Sequence, residues 1–558
     1  MVPSEPPSRP SLPSASGLDR RSLLKGGAVG GILSAGLPSA PSLAAQSARG
    51  FTHGVASGEP GPDRVLLWTR YVAAQDTALA VEVSRTLDFF SHTRGDTATA
   101  RPENDFCAKV VIDGLEPDTW YYYRFVAPDG TVSEKGRTRT LPAGPTARFR
   151  MAVFSCSNIG FGWFNAYAHA AEANDFDLLV HTGDYFYEYE AGRYPDDPMT
   201  RRRFAPVGET VALADYRLRH ASYRADPDLR RMTQLYPMIM GWDDHESAND
   251  SYADGAENHQ PDTEGDWAVR KAAAMRAYRE WLPVSDNPYE AYEVGDLATL
   301  FRLETRLTAR SRPPSLREIM AGGTSPDDMV ARLSAFRDGA YRDPARTMLG
   351  TGQEEWLASG LARSARSGKT WQVLAQQVVM GSLSTPPALA GGVTEDMPDF
   401  IRQRVMAAAL ASRAGLPMNM DAWDGYPAAR ERLLASALEA GANLLVLAGD
   451  SHNAWAFELD HGGERAGVEF AGQSVTSPGF EGYLANVPPQ VLEGAVTAHN
   501  AQLKWADTSQ RGYMAIELTP QRAVAEYRFL GSIAQKSTAL AATKRLQTRP
   551  GEHLLEDA

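Results

Sequence analysis

Five short apolar runs end abruptly in polar residues, and this repeated junction constrains the fold more than any other feature of the sequence. They are Phe149-Arg-Met-Ala-Val-Phe154 before Ser-Cys156, Phe176-Asp-Leu-Leu-Val180 before His-Thr-Gly-Asp184, Pro237-Met-Ile-Met240 before Gly-Trp-Asp-Asp-His245, Thr370-Trp-Gln-Val-Leu-Ala375, and Asn443-Leu-Leu-Val-Leu-Ala448 before Gly-Asp450-Ser-His452. Runs of this length, alternating with helical patterns such as Trp267 to Trp281 and Thr351 to Ala365, predict an α/β fold whose strands are buried on both faces. Ligands in such sheets gather beyond the carboxyl ends of the strands. Four of the five ends deliver strong metal-ligating types there: Cys156, Asp184, Tyr187, Asp243, Asp244, His245, Asp450 and His452. One Gly-Asp pair is a commonplace turn. Several such blocks, each closing an apolar run, point to a shared site.

The segment before these runs reads differently. Residues 50 to 145 hold short β-branched and aromatic runs separated by turn clusters such as Gly58-Glu-Pro-Gly-Pro-Asp63 and Pro128-Asp-Gly130, which predicts an all-β module over 46–145. Within it, Leu115-Glu-Pro117-Asp-Thr119-Trp-Tyr121 resembles the corner of fibronectin type III sandwiches, where a tyrosine hydroxyl ties a loop back to the sheet. His53 and Trp68 read as packing or surface residues. The α/β part is expected over 146–540, with 541–558 as a tail.

Composition narrows the partners. With 69 acidic and 56 basic side chains in 558 residues, the chain carries no positive field to hold nucleic acid nonspecifically. An anionic substrate must be attracted locally, and cations bound among clustered carboxylates do that. Residues 1–45 read as a twin-arginine export signal, with Arg20-Arg21, an apolar Gly/Ala run to about Leu37, and small residues at Ser42 and Ala44. The export machinery is therefore an expected partner and the destination periplasmic or secreted. No later apolar stretch reaches the roughly 18–20 residues of a membrane span. In an exported chain the two cysteines, Cys107 and Cys156, read by default as a disulfide, and metal ligation by Cys156 is the alternative. The sequence leaves the oligomeric state open.

The blocks Gly183-Asp184-Tyr-Phe-Tyr187, Trp242-Asp243-Asp244-His245-Glu246 and Gly449-Asp450-Ser-His452, taken in order, resemble those of the metallophosphoesterase superfamily and most closely its PhoD-type alkaline phosphatase branch. Phe154-Ser-Cys156, Trp423-Asp-Gly-Tyr-Pro427, Val475-Thr-Ser-Pro-Gly479 and Arg511-Gly-Tyr513 extend the resemblance, as does the β-rich segment in front. It implies a layered α/β fold with helices flanking the sheets, behind a small fibronectin-like sandwich. The activity implied is hydrolysis of phosphate monoesters, and of diesters, by in-line attack of a metal-activated hydroxide or oxide. By the same resemblance, Fe3+ is held by Cys156, Asp184, Tyr187 and Asp450, and Asp184 bridges to a second metal, Ca2+, that Asp244 also binds. Thiolate and phenolate suit trivalent iron, and an oxygen-rich second site suits calcium better than zinc. His452 falls at the position of a second-metal or phosphate-contacting histidine. His245, set between Asp244 and Glu246, is the expected proton donor to the leaving group.

Gln376 stands where relatives outside this branch have a ligating histidine. His259, Asn258 and Lys504 are candidate substrate contacts on looser grounds. A phosphodiesterase or phospholipase D-like hydrolase using the same site is the rival chemistry. An extracellular binding protein led by its sandwich is the rival class, and it would not require metal-type blocks at several strand ends. Neither Ser155 nor Ser451 has the Gly-x-Ser-x-Gly setting of a serine nucleophile.

Overall fold

The apolar runs become the central strands of two stacked sheets. The computed structural model describes residues 49–558, apart from 91, 197–199, 201 and 388–398. The expected export signal at 1–45 lies outside the described residues. In a ten-stranded sheet, Phe149–Phe154, Leu178–His181 and Pro237–Met240 run parallel, and each is buried along almost its whole length. In a seven-stranded sheet, Ala298–Arg302, Trp371–Ala375, Leu444–Ala448 and Glu464–Ala471 are likewise parallel neighbours. The inner faces of the two sheets share one core, in which Val153, Val180 and Ile239 meet Leu300, Val373, Leu445 and Leu447. Helices cover the outer faces. Trp267–Trp281, which Asp266 caps by accepting from the Ala268 N–H, packs on the first sheet, and Gly350–Arg366 and Pro427–Ala440 pack on the second. The result is a layered helix–sheet–sheet–helix arrangement, the expected α/β class.

The N-terminal β-rich segment forms two layers. Thr77–Ser84, His92–Ala100, Trp120–Val126 and Gly136–Arg139 make a separate four-stranded sheet. Gly50–Gly58, Arg64–Val72 and Cys107–Asp113 face it across a core of Val65, Leu67, Val81, Ile112, Tyr121 and Phe125. The tyrosine corner is present, because the Tyr121 hydroxyl accepts the Glu116 N–H at 2.9 Å. The segment does not close on itself, however. Gly50–Gly58 pairs in parallel with Pro237–Met240, with Ser57 opposite Pro237, so one layer of the sandwich is the edge of the ten-stranded sheet.

The expected C-terminal tail is corrected at the opposite edge. Leu540–Thr548 pairs with Ala523–Leu530 over eight residue pairs and then with Glu556–Asp557, so residues 541–558 finish the sheet. The segment follows the edge strand in sequence and satisfies that strand's free backbone groups. Among the described residues, no helix is long and apolar enough to cross a membrane.

Candidate metal centre and active site

The parallel register fixes the place of the site. Phe154 and Met240 both sit opposite His181, so the segments that begin at Ser155, Thr182 and Gly241 leave the sheet at one edge. The second sheet delivers Asp450 from the end of Leu444–Ala448 to the same place. Glycine permits the crossing, because a Cβ on Gly449 would lie 2.5 Å from the Ser155 Cβ and 2.6 Å from the Thr182 Oγ1. Gly183, at φ +109°, packs so closely on Asp243 that a Cβ would come within 2.4 Å of that residue's own Cβ. Immediately after these turns, Cys156, Asp184, Asp450 and His452 all adopt left-handed backbone conformations at φ +55° to +62°. Strain of this kind in non-glycine residues clusters where function fixes a geometry.

The side chains form three overlapping groups whose potential ligand atoms lie within 4.8 Å of one another: Cys156, Asp184 and His452; Asp184, Asp244 and His245; and Asp243, Asp244 and Asp450. Tyr187 joins the first group. Its hydroxyl donates to the Asp184 Oδ2 at 2.9 Å, lies 3.0 Å from the His452 Nε2 and accepts from the Ser477 hydroxyl at 2.8 Å. All six expected ligands, together with His245, therefore converge. His452 sits with Cys156 and Tyr187, and Asp450 sits with Asp243 and Asp244.

The electrostatics of the cluster are dominated by burial and by the mutual repulsion of its acidic groups. Burial, and next the Asp184 charge, push the Cys156 thiol and the Tyr187 phenol well above their ordinary ranges. Burial raises Asp184 and Asp243 as well, and brings Asp450 to about 7 and Asp250 to about 8. Burial lowers His452 to about 3, leaving a neutral imidazole suited to ligation. Three buried carboxylate oxygens, the Oδ1 atoms of Asp184 and Asp244 and the Oδ2 of Asp243, have no hydrogen-bond partner. Clustered carboxylates with unpartnered oxygens beside a thiol and a phenol fit a metal pair, since a cation satisfies those oxygens and draws off those protons.

Both cysteines are free and buried, so the disulfide reading is corrected. Cys107 belongs to a strand of the N-terminal layer, and the sheet holds it away from the edge where Cys156 sits.

The structure also corrects what holds His245. Its Nδ1 lies 2.6 Å from the Glu188 Oε2, and the other Glu188 oxygen accepts from the Asn249 N–H and the Asn258 amide, each at 2.8 Å. Burial works against protonation of His245, but Glu188, then Asp244 and Asp184, outweigh it and raise the pKa well above the ordinary value. Glu246, the expected neighbour, instead accepts the backbone N–H groups of Asp184, Tyr185 and Asp243, tying two of the loops together.

Sequence reasoning missed Glu188, although it lies one residue beyond Tyr187 in the same block. It also missed Arg306, which is fully buried and donates to Asp243 (2.5 Å), Asp421 (2.6 Å) and Asp450 (3.0 Å). No motif marks Arg306, because it follows a strand that carries no ligand.

The three candidate substrate contacts part company. Asn258 reaches the site only through Glu188. His259 packs on Trp267 with ring centroids 5.3 Å apart, beside Glu264 at 3.2 Å. Lys504 lies in the strand Leu503–Asp507, exposed, with its ammonium on the Ala501 carbonyl and 3.3 Å from Glu458, and the structure does not bring it to the cluster. Gln376 spends its amide on the Val378 carbonyl and the Trp423 indole N–H.

A layered double sheet that gathers buried carboxylates at its strand ends, beside a histidine paired with Glu188, matches the architecture of a phosphatase family. The chain belongs to the PhoD-like phosphatase family: that family's model matches residues 151–527, and the model of its N-terminal domain matches 38–142. It is 32% identical over 562 residues to alkaline phosphatase D of Bacillus subtilis (strain 168), a match covering 94% of this chain and 86% of the relative. The solved structure of PhoD superposes with a TM-score of 0.74 at 29% identity, covering 92% of each chain. The chain is accordingly a phosphoric ester hydrolase of the PhoD-like type.

Proposed function

We propose that this protein is an exported, metal-dependent alkaline phosphatase that hydrolyses phosphate monoesters and accepts diesters. The observation that carries the reading is the convergence of Cys156, Asp184, Tyr187, Asp244, Asp450 and His452 around unpartnered carboxylate oxygens. Cys156, Tyr187 and Asp184 would hold Fe3+, with Asp450 approaching from the second sheet. Asp184 and Asp244 would hold Ca2+, for which an oxygen-rich set is suited. When bound, such a pair neutralises charge on the phosphoryl oxygens and lowers the pKa of water.

The chain's own side chains do the rest. Glu188 orients His245 through Nδ1, leaving the other ring nitrogen to give a proton to the departing oxygen. Ser477 and Asp184 fix the Tyr187 hydroxyl. Glu246 locks the loops that carry Asp184 and Asp243. The twin-arginine pattern at Arg20-Arg21 supports export to the periplasm or beyond.

The test compares a chromogenic monoester with its diester at mildly alkaline pH on chelator-free protein, with Asp184→Asn as control. A dominant monoester rate, lost in the variant and on chelation, is expected. A dominant diester rate would move the function to phosphodiesterase, and an unchanged Asp184→Asn rate would refute the site.

A further inference from the structure

Behind the active-site loop, where the N-terminal strands meet helix Leu213–Arg224, lies a second charged cluster that the phosphatase chemistry does not use. Arg224 is 1% exposed. Its guanidinium lies over the Trp68 ring at 4.2 Å and donates to the His53 carbonyl at 3.3 Å, and its Nε has no partner. Among the described residues no carboxylate pairs with it, whereas its cationic neighbours are matched: Arg70 with Asp105 at 2.8 Å, and Arg230 with Glu134. A buried charge without a counter-charge is strongly destabilising, because nothing repays its lost hydration.

The groups around Arg224 carry further unmatched donors; the Tyr185 hydroxyl beside Arg224 can accept one hydrogen bond, but being neutral it does not balance the charge. His220, one helical turn earlier on the same face, is fully buried, and His53 is 4% exposed. Neither ring nitrogen of either histidine has a partner, nor has the Trp281 indole N–H. Trp281 meets the His53 ring edge-on at 5.1 Å and lies parallel to His220 at 6.5 Å. Burial first, and then the arginine charges, lower both histidines to about 3, so each is neutral and carries one N–H that needs an acceptor. Four unmatched N–H donors and one unmatched positive charge therefore share one aromatic-walled cluster. Water would accept the hydrogen bonds but leave the charge. A weakly hydrated anion answers both needs, and ring edges, which are electropositive, suit it further.

We infer that Arg224, His53, His220 and Trp281 bind a single halide, chloride under ordinary conditions, as a structural anion separate from the phosphate-ester site. It joins the N-terminal layer to a helix whose Arg219 holds the Tyr189 carbonyl in the active-site loop.

The test uses the full mature protein at constant ionic strength, with chloride replaced stepwise by methanesulfonate and melting followed by calorimetry. Chloride should raise Tm saturably by about 1–3 °C, bromide should do the same, and Arg224→Met should abolish the dependence while Lys504→Met keeps it. Should Arg224→Met fail to fold, anomalous diffraction from bromide-grown wild-type crystals decides. A peak between Arg224 and His220 supports the site, and a water molecule there overturns it. Equal Tm in chloride and methanesulfonate, or an equal chloride response in Arg224→Met, would also overturn it.

Discussion

Glu188 and His245 form a buried pair, with Oε2 and Nδ1 2.6 Å apart and the glutamate fixed from behind by Asn249 and Asn258. The geometry assigns the ring orientation to a residue from the Asp184 loop, although the histidine itself comes from the next strand end. Glu188→Gln should therefore lower kcat by on the order of 10²-fold, the usual worth of a positioned proton donor. Bound metal, measured by elemental analysis, should remain, because Glu188 belongs to none of the ligand groups. A variant that lost metal in proportion to activity would contradict the assignment.

Arg306 offers a different test. It is the internal cation among Asp243, Asp421 and Asp450, so Arg306→Met leaves buried carboxylates facing one another. Removing one partner of such a network costs about 3–5 kcal/mol. A metal bound at the proposed site would supply the missing charge, so the loss in Tm should be larger in chelated than in metal-loaded protein. Equal losses in the two states, read by calorimetry, would mean that Arg306 acts by packing alone.

How much of this was legible beforehand depends on how each residue reaches the site. The strand-end candidates were readable because a residue two to six positions past a buried strand has little choice of location, and the order of the blocks did the rest. Glu188 and Arg306 act through contacts between different strand ends, and a single sequence gives no register from which to compute them. The same ignorance of register made the C-terminal strand look like a tail. It also hid the union of the N-terminal layer with the main sheet, since pairing of Ser57 with Pro237 spans 180 positions with no local signal. Lys504 is the candidate with the weakest local signal. A lone basic residue late in the chain suggested phosphate binding, but its strand carries it to Glu458. Lys504→Ala should accordingly leave kcat/KM within about twofold of wild type, as expected of an exposed ion pair, and a tenfold rise in KM would restore it to the substrate site.

Glu469 gives a pH test remote from the ligands. It is fully buried, its two oxygens accept the Met380 and Gly381 N–H groups at 2.7 Å each, and burial raises its pKa to about 7. Between the ordinary glutamate value and about 7, the folded state holds a proton that the unfolded state has released. Stability from this group is thus complete at acid pH and declines as pH rises through that window, by about 1.4 kcal/mol per unit. Glu469→Gln removes the titration but also one acceptor for two backbone donors, so the variant should be less stable than wild type below pH 5. Its deficit should then shrink steadily toward pH 7, because only the wild type loses stability over that range. Denaturant melts of both proteins at pH 5, 6 and 7 check this, and a deficit constant across the series would show that Glu469 folds already ionised.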